Sequence, residues 1–300
     1  MNDNRYFYLY TENDVNNLFE YLSIYSKEIY KILESHPKRT LNINNATYFI
    51  TCLSNETNYP EYNKPYIGKA KISLPINQIK NIFKYYNYGN HIIFYHKTPN
   101  NLPSQLLNIS YCSDSFKSII IPPPAPYKDL IFNIKNNKYL ISFKGSFNRM
   151  SFETNIYYRN NIINTLIKYR NNSIIIEESH SLKHNYKDLL ENSTFGLVIE
   201  GDLPWSYRLT EVINSGAIPI IILPKNYNIL PFKELLNYSE FSILLNSEDI
   251  DDFFINKLNS INNNKIAQLQ SNLQYINNTV FKNRKTHVYT LIKYLTTLKI

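Results

Sequence analysis

Apolar and polar residues along this chain switch repeatedly between two spacings. Residues 5–11 (RYFYLYT) are rich in aromatic and apolar side chains and predict a strand. Residues 14–35 then place Val15, Leu18, Leu22, Tyr25, Ile29 and Leu33 at the three-and-four spacing of a helix face. Residues 47–53 (TYFITCL) predict the next strand. Residues 75–86 carry a helical stripe of Ile76, Ile79, Phe83 and Tyr86. Residues 91–97 (HIIFYHK) and 118–121 predict two more strands. The alternation then starts again: strand at 138–143 (KYLISF), helix at 155–169, strand at 173–176, short helix at 186–191, and strand at 194–199. A helix at 207–215 and strands at 218–223 and 241–245 follow, and residues from about 250 onward read as helices. Strands separated by helices predict parallel sheets built from βαβ units.

Between the two series lies PPPAP, residues 122–126. Proline fixes φ and lacks a donor N–H, so this segment is neither central strand nor helix interior. It predicts a link between a first Rossmann-like domain over residues 1–127 and a second over 128–275. A C-terminal helix over 276–300 is expected to pack back towards the first. No fixed-period repeat is visible.

Composition adds a globular core: 43% of residues are hydrophobic and 19% charged. No apolar run approaches the ~18–20 residues of a membrane span. The opening MNDNRYFYLY lacks a basic segment followed by an apolar one. The expectation is a cytoplasmic protein. Asn, Ile, Lys and Tyr dominate, as in an AT-rich genome such as that of a large virus acting in host cytoplasm. The Asn-x-Ser/Thr matches at Asn55, Asn108, Asn192 and Asn277 are therefore read as composition, not glycosylation signals. The net charge is +8, but the lysines are scattered and form no basic block. Cys52 and Cys112 read as free thiols in a reducing compartment. With six histidines and no H-E-x-x-H motif, no metal site is expected.

The chain has six glycines and one tryptophan. Gly196, Gly201, Gly216 and Trp205 cluster around residues 200–222, EGDLPWSYRLTEVINSGAIPIII. Gly201 can take positive φ in the loop, Ser206 suits an N-cap, and Gly216 stands at a helix C′ position. Leu209, Val212 and Ile213 would face the sheet. Arg208, Glu211 and Ser215 form the opposite stripe, just beyond the carboxyl end of a strand, where α/β sheets bind ligands. A helix start with an arginine suits a phosphate, and Glu211 could accept from ribose hydroxyls. A surface ion pair between Arg208 and Glu211 fits the spacing equally well.

Residues 193–222, STFGLVIEGDLPWSYRLTEVINSGAIPIII, resemble the signature segment of the exostosin-type glycosyltransferases. Weaker resemblances run in the same order along the chain: RYFYLYT, YGNHIIFY (88–95), SIIIPPP (118–124), KYLISFKG (138–145) and KELLNYSEFSILL (233–245). The resemblance implies an α/β, GT-B-like fold: two facing Rossmann-like domains with a C-terminal helical segment. It implies inverting transfer from a nucleotide-sugar, a UDP-sugar by expectation, to a glycan or glycoprotein acceptor, with no cofactor or metal required. Arg208 and Glu211 match the family's donor-binding pair. Ser206, Tyr207 and Gly201 would line the donor site, and Lys144, Gly145 and Arg159 match the loop after the domain's first strand and an arginine on the next helix.

Two departures stand out. Glu200 occupies a position where many members carry arginine, and Gly196 one where cysteine is common. A membrane anchor typical of eukaryotic relatives is not seen. An inverting enzyme needs a base for the acceptor hydroxyl. His96 is the candidate, with His91, Glu56, Glu61 and Asp114 as other choices, whereas His180 and His184 read as solvated loop residues. Two other functional readings are carried: a catalytically inactive exostosin-like nucleotide-sugar-binding or scaffolding protein, and a basic nucleic-acid-binding protein. The aromatic stripes sit at core spacing, which favours packing over base stacking.

Overall fold

A computed structural model describes residues 5–14, 24–52, 91–94, 107–110, 118–120, 129–134, 138–147, 157–199, 207–223, 230–250 and 254–297. The chain divides into two compact units. One comprises Met1–Ile121 with His287–Ile300, the other Pro122–Thr286.

The first unit carries a six-stranded sheet. Its strands are β1 (Phe7–Leu9), β2 (Arg39–Thr40), β3 (Tyr48–Cys52), β4 (His91–Phe94), β5 (Leu107–Ser110) and β6 (Ser118–Ile120), in the order β2-β1-β3-β4-β5-β6. Every pairing is parallel. Helix α1 (Ile24–Glu34) buries Ile29 and Leu33 of the predicted stripe, and Tyr30 beside them. The start of that stripe and the predicted 75–86 helix lie outside the described residues. The Tyr48 hydroxyl donates to the Leu295 carbonyl at 2.5 Å. At the end of α1, His36 is buried, 4.4 Å from the Tyr289 ring and 5.6 Å from the Phe7 ring between centroids. The Lys38 backbone N–H donates to its Nδ1 at 3.1 Å, which requires an unprotonated Nδ1.

The second unit carries β7 (Tyr139–Lys144), β8 (Ile174–Glu177), β9 (Ser193–Ile199), β10 (Ile218–Leu223) and β11 (Ile243–Asn246), in the order β8-β7-β9-β10-β11. All are parallel. In chain order this is the 2-1-3-4-5 arrangement of a doubly wound fold. Its helices are α2 (Tyr157–Ile167), α3 (Tyr186–Glu191), α4 (Tyr207–Ser215), α5 (Phe254–Asn259) and α6 (Asn263–Ile276). Helix α7 (Arg284–Thr297) follows; its residues from His287 belong to the first unit. β8, β9 and β10 are almost wholly buried runs, as parallel strands covered on both faces must be. Leu209, Val212 and Ile213 of α4 are fully buried. Phe254, Leu258 and Leu269 pack in one core with Ile141, Phe195 and Ile220 of the sheet.

Two glycines fix where α4 lies. A Cβ on Gly196 would come within 2.6 Å of Val212 Cγ1, so this glycine lets the helix approach β9 closely. Gly216 ends the helix at φ +85°, and a Cβ there would meet Asn133 backbone atoms at 2.6–3.0 Å. The segment 129–134 passes through that space. Asn133 donates its N–H to the Ser215 carbonyl at 2.9 Å and its amide to the Glu191 carbonyl at 3.0 Å. The Ile131 N–H reaches the Glu191 carboxylate at 2.6 Å.

Gly216→Ala combines backbone strain with a clash against main chain, and should cost about 1–3 kcal/mol in urea unfolding. A neutral substitution would contradict this account of the helix end. His36 gives a pH effect. Burial, with Lys38 beside it, lowers its pKa from 6.5 to about 4. Between these values the unfolded chain holds the extra proton. The stability contribution is therefore complete above pH 6.5 and is lost as pH falls towards 4. His36→Gln should flatten that part of the stability profile.

Candidate functional site

In a 2-1-3-4-5 sheet the crossovers from the first and third strands leave in opposite directions, opening a crevice at their carboxyl ends. Here those strands are β7 and β9. Lys144 ends β7, Glu177 ends β8, and α4 begins at Tyr207 shortly after β9. Several of the sequence-predicted residues meet at this edge.

Arg208 lies in the first turn of α4. Its Nη2 donates to the Lys144 carbonyl. Its Cζ is 4.6 Å from the Phe143 ring centroid and 5.3 Å from that of Tyr186. Gly145 makes this possible, since a Cβ there would lie 2.6 Å from Arg208 Nη2 and 3.1 Å from Phe143 Cζ. Arg159, on α2 and 8% exposed, places its Cζ 5.6 Å from the same Phe143 ring. Two guanidiniums thus share one aromatic ring. The Phe143 ring contacts both guanidiniums, and the Lys144 carbonyl also accepts from Arg208.

Glu211 is 4% exposed and Ser215 is fully buried, so the stripe is not a surface face. The Tyr186 hydroxyl donates to Glu211 Oε2 at 2.5 Å. Tyr207 is half-buried at the helix start. Lys144 turns elsewhere: its Nζ donates to the carbonyls of Ser181 at 2.6 Å and His184 at 2.5 Å, pinning the loop between β8 and α3. The Gly145 N–H donates to the Glu177 carbonyl at 3.0 Å.

His184 lies in that loop with its side chain 33% exposed. Its Nδ1 lies 2.6 Å from Glu177 Oε1, and its ring meets Tyr139 edge-on at 5.8 Å. Burial pushes the Glu177 carboxyl up, but bonding to His184 and the Ser181 hydroxyl, with the charges of His184 and Lys144, brings it below the usual value. Glu177 Oε2 itself is buried outside strict hydrogen-bond geometry, so the His184 contact is the firmer of these. His180 is exposed.

Ser206, Gly201, Glu200, His96, Glu56, Glu61 and Asp114 lie outside the described residues, and of His91 only the backbone in β4 is described. Phe143 and Tyr186 were not singled out from the sequence. Phe143 reads there as one more core residue of a strand, and Tyr186 as the start of a short helix. Among the described residues, no three His, Cys, Asp or Glu side chains gather as metal ligands. No described helix is long and apolar enough to cross a membrane.

Residues 121–261 match the model of the Exostosin GT47 domain. An Exostosin-1 homolog of Caenorhabditis elegans is 30% identical over 127 residues, covering 37% of this chain and 33% of that protein. A probable glucuronosyltransferase of Oryza sativa subsp. japonica is 29% identical over 140 residues, covering 44% of this chain and 31% of that protein. The chain thus spans about a third of the length of these curated relatives. Among solved structures, WaaG, a glycosyltransferase involved in lipopolysaccharide biosynthesis, aligns with 98% of both chains at 9% identity and a TM-score of 0.39. TarM aligns with 86% of this chain and 51% of its own at 14% identity and a TM-score of 0.38.

The atom nearest a Cβ at Gly145 is the tip of a flexible side chain. Gly145→Ala should therefore leave folding stability within about 1 kcal/mol while displacing the Arg208 guanidinium. The Arg208 Nε–Hε signal in 15N–1H NMR should move from its wild-type position. A wild-type signal in a folded Gly145→Ala protein would show that Arg208 is not placed by this glycine.

Proposed function

We propose, on the premise that residues 121–261 form a domain of the exostosin GT47 type, that this protein is a glycosyltransferase using a nucleoside-diphosphate-sugar. The observation that carries the reading is the seating of Arg208 and Arg159 on Phe143, beside Gly145, at the carboxyl edge of the second sheet. A diphosphate bound there would meet the seated guanidiniums, that of Arg208 at the start of α4.

The reaction in this reading is a displacement with inversion. The acceptor hydroxyl oxygen attacks the anomeric carbon. The bond from that carbon to the diphosphate oxygen breaks, and its electron pair leaves with the diphosphate. The cations take up that charge as it develops, which lowers the barrier more than it strengthens ground-state binding. The proton of the acceptor hydroxyl passes to a base, for which His96 is proposed. Glu211 would hold a donor hydroxyl, with Ser206, Tyr207 and Gly201 closing the site around the diphosphate and sugar. Lys144 would act through the loop it pins.

UDP-sugars are the proposed donors, a glycan or glycoprotein the proposed acceptor, and a cytoplasmic location the proposed setting. The same cation seat would serve a nucleotide-sugar-binding protein without turnover. Donor binding with no transfer to any glycan acceptor would favour that alternative.

Titration with UDP tests the site. Saturating ligand at 100 times its Kd should add roughly 2.7 kcal/mol to stability. Arg208→Ala should weaken UDP by about tenfold to a hundredfold, the loss of one or two charge-assisted bonds, and leave the unliganded fold intact. Equal affinity in the variant would sink the site.

A further inference from the structure

We infer that Tyr186 is a positioning residue for this site, its ring seating Arg208 and its hydroxyl orienting Glu211. The inference rests on the proposed reading of this edge as a donor site. Tyr186 opens α3, directly after Asn185. The Asn185 side chain caps the helix, accepting from the Lys187 N–H at 2.9 Å and the Asp188 N–H at 3.3 Å. That cap fixes the backbone from which the Tyr186 side chain reaches α4.

On α4, Arg208 and Glu211 are three residues apart and share a face. Tyr186 meets both: its ring centroid is 5.3 Å from Arg208 Cζ, and its hydroxyl is 2.5 Å from Glu211 Oε2. The chemistry of a phenol suits this place. Glu211 is 4% exposed, and a buried carboxylate needs donors. A lysine in that role would add a charge and repel Arg208. A phenol donates without adding charge. It holds one Glu211 oxygen, while its ring face attracts the neighbouring guanidinium. One phenol thereby contacts both charged side chains of this α4 face.

The test uses the full chain and two variants. Tyr186→Phe keeps the ring and removes the hydroxyl, whereas Tyr186→Leu removes both. In ligand-free protein the Arg208 Nε–Hε proton is read by 15N–1H NMR and the Glu211 carboxyl by its 13C shift. Tyr186→Phe should keep the wild-type Arg208 signal and move the Glu211 signal. Its UDP affinity should fall, but by less than that of Tyr186→Leu, because the cation seat survives. Tyr186→Leu should move both signals and weaken UDP about tenfold. A substitution that only lowered stability would leave both signals native in the folded protein.

A wild-type Glu211 signal in folded Tyr186→Phe would overturn the inference, and this isosteric variant decides that arm even if Tyr186→Leu does not fold. A wild-type Arg208 signal in folded Tyr186→Leu would overturn it as well. If wild-type protein binds no UDP while both signals respond as expected, the donor reading fails and the positioning role stands.

Discussion

The close approach of the Arg208 guanidinium to the end of β7 is the contact on which the account of this protein depends. The donor is a side chain on α4, and the acceptor is a main-chain carbonyl 64 residues earlier, at Lys144. A carbonyl at a strand end is a rigid acceptor, and the Phe143 ring beside it is fully buried, so the cation rests on parts that do not yield. The approach exists because residue 145 has no side chain. A cation held this way loses little freedom when an anion arrives, and preorganisation of that kind is what makes a fixed charge effective on a leaving group.

Several features upstream of that contact make it possible. The parallel register that sets Ile141 against Phe195 and Ser142 against Gly196 makes β7 and β9 neighbours. Gly196 then lets Val212 settle onto β9, which sets the depth of α4 and so the height of its first turn. Gly216 ends the helix and leaves room for the segment at Asn133. On the other side, Lys144 holds the β8–α3 loop through two carbonyls, and the Glu177–His184 pair braces the same loop from the end of β8. The lysine is engaged with backbone carbonyls, and the two arginines lie against an aromatic ring.

Much of the second unit was legible from spacing. The helices at 186–191 and 207–215 and the strand at 218–223 fall at the residues their patterns predicted. Long buried runs with glycine and proline boundaries leave little choice of element. The two-residue β2 was not predicted, because it is too short to hold a pattern, and β5, LNIS, mixes polar and apolar residues too evenly. At the site, Arg208 and Gly145 could be named from sequence, but their contact could not, since nothing local links residues 64 apart. From spacing, Glu211 suited a donor site and a surface ion pair equally, because α4 alone has only one apolar stripe. It is covered by α3, an element brought there by the sheet order. Tyr186 was missed for the same reason: its chemistry comes from what it touches across two helices, not from its neighbours in the chain. The contact of His184 with Glu177 could not be read locally, because Glu177 belongs to the strand before that loop.

The most direct test of the central claim is a crystal structure of this chain with UDP bound. The account predicts the diphosphate at the carboxyl edge of the second sheet, with Arg208 donating to its oxygens and still resting on Phe143. A diphosphate bound elsewhere, or Arg208 turned away from it, would contradict the account.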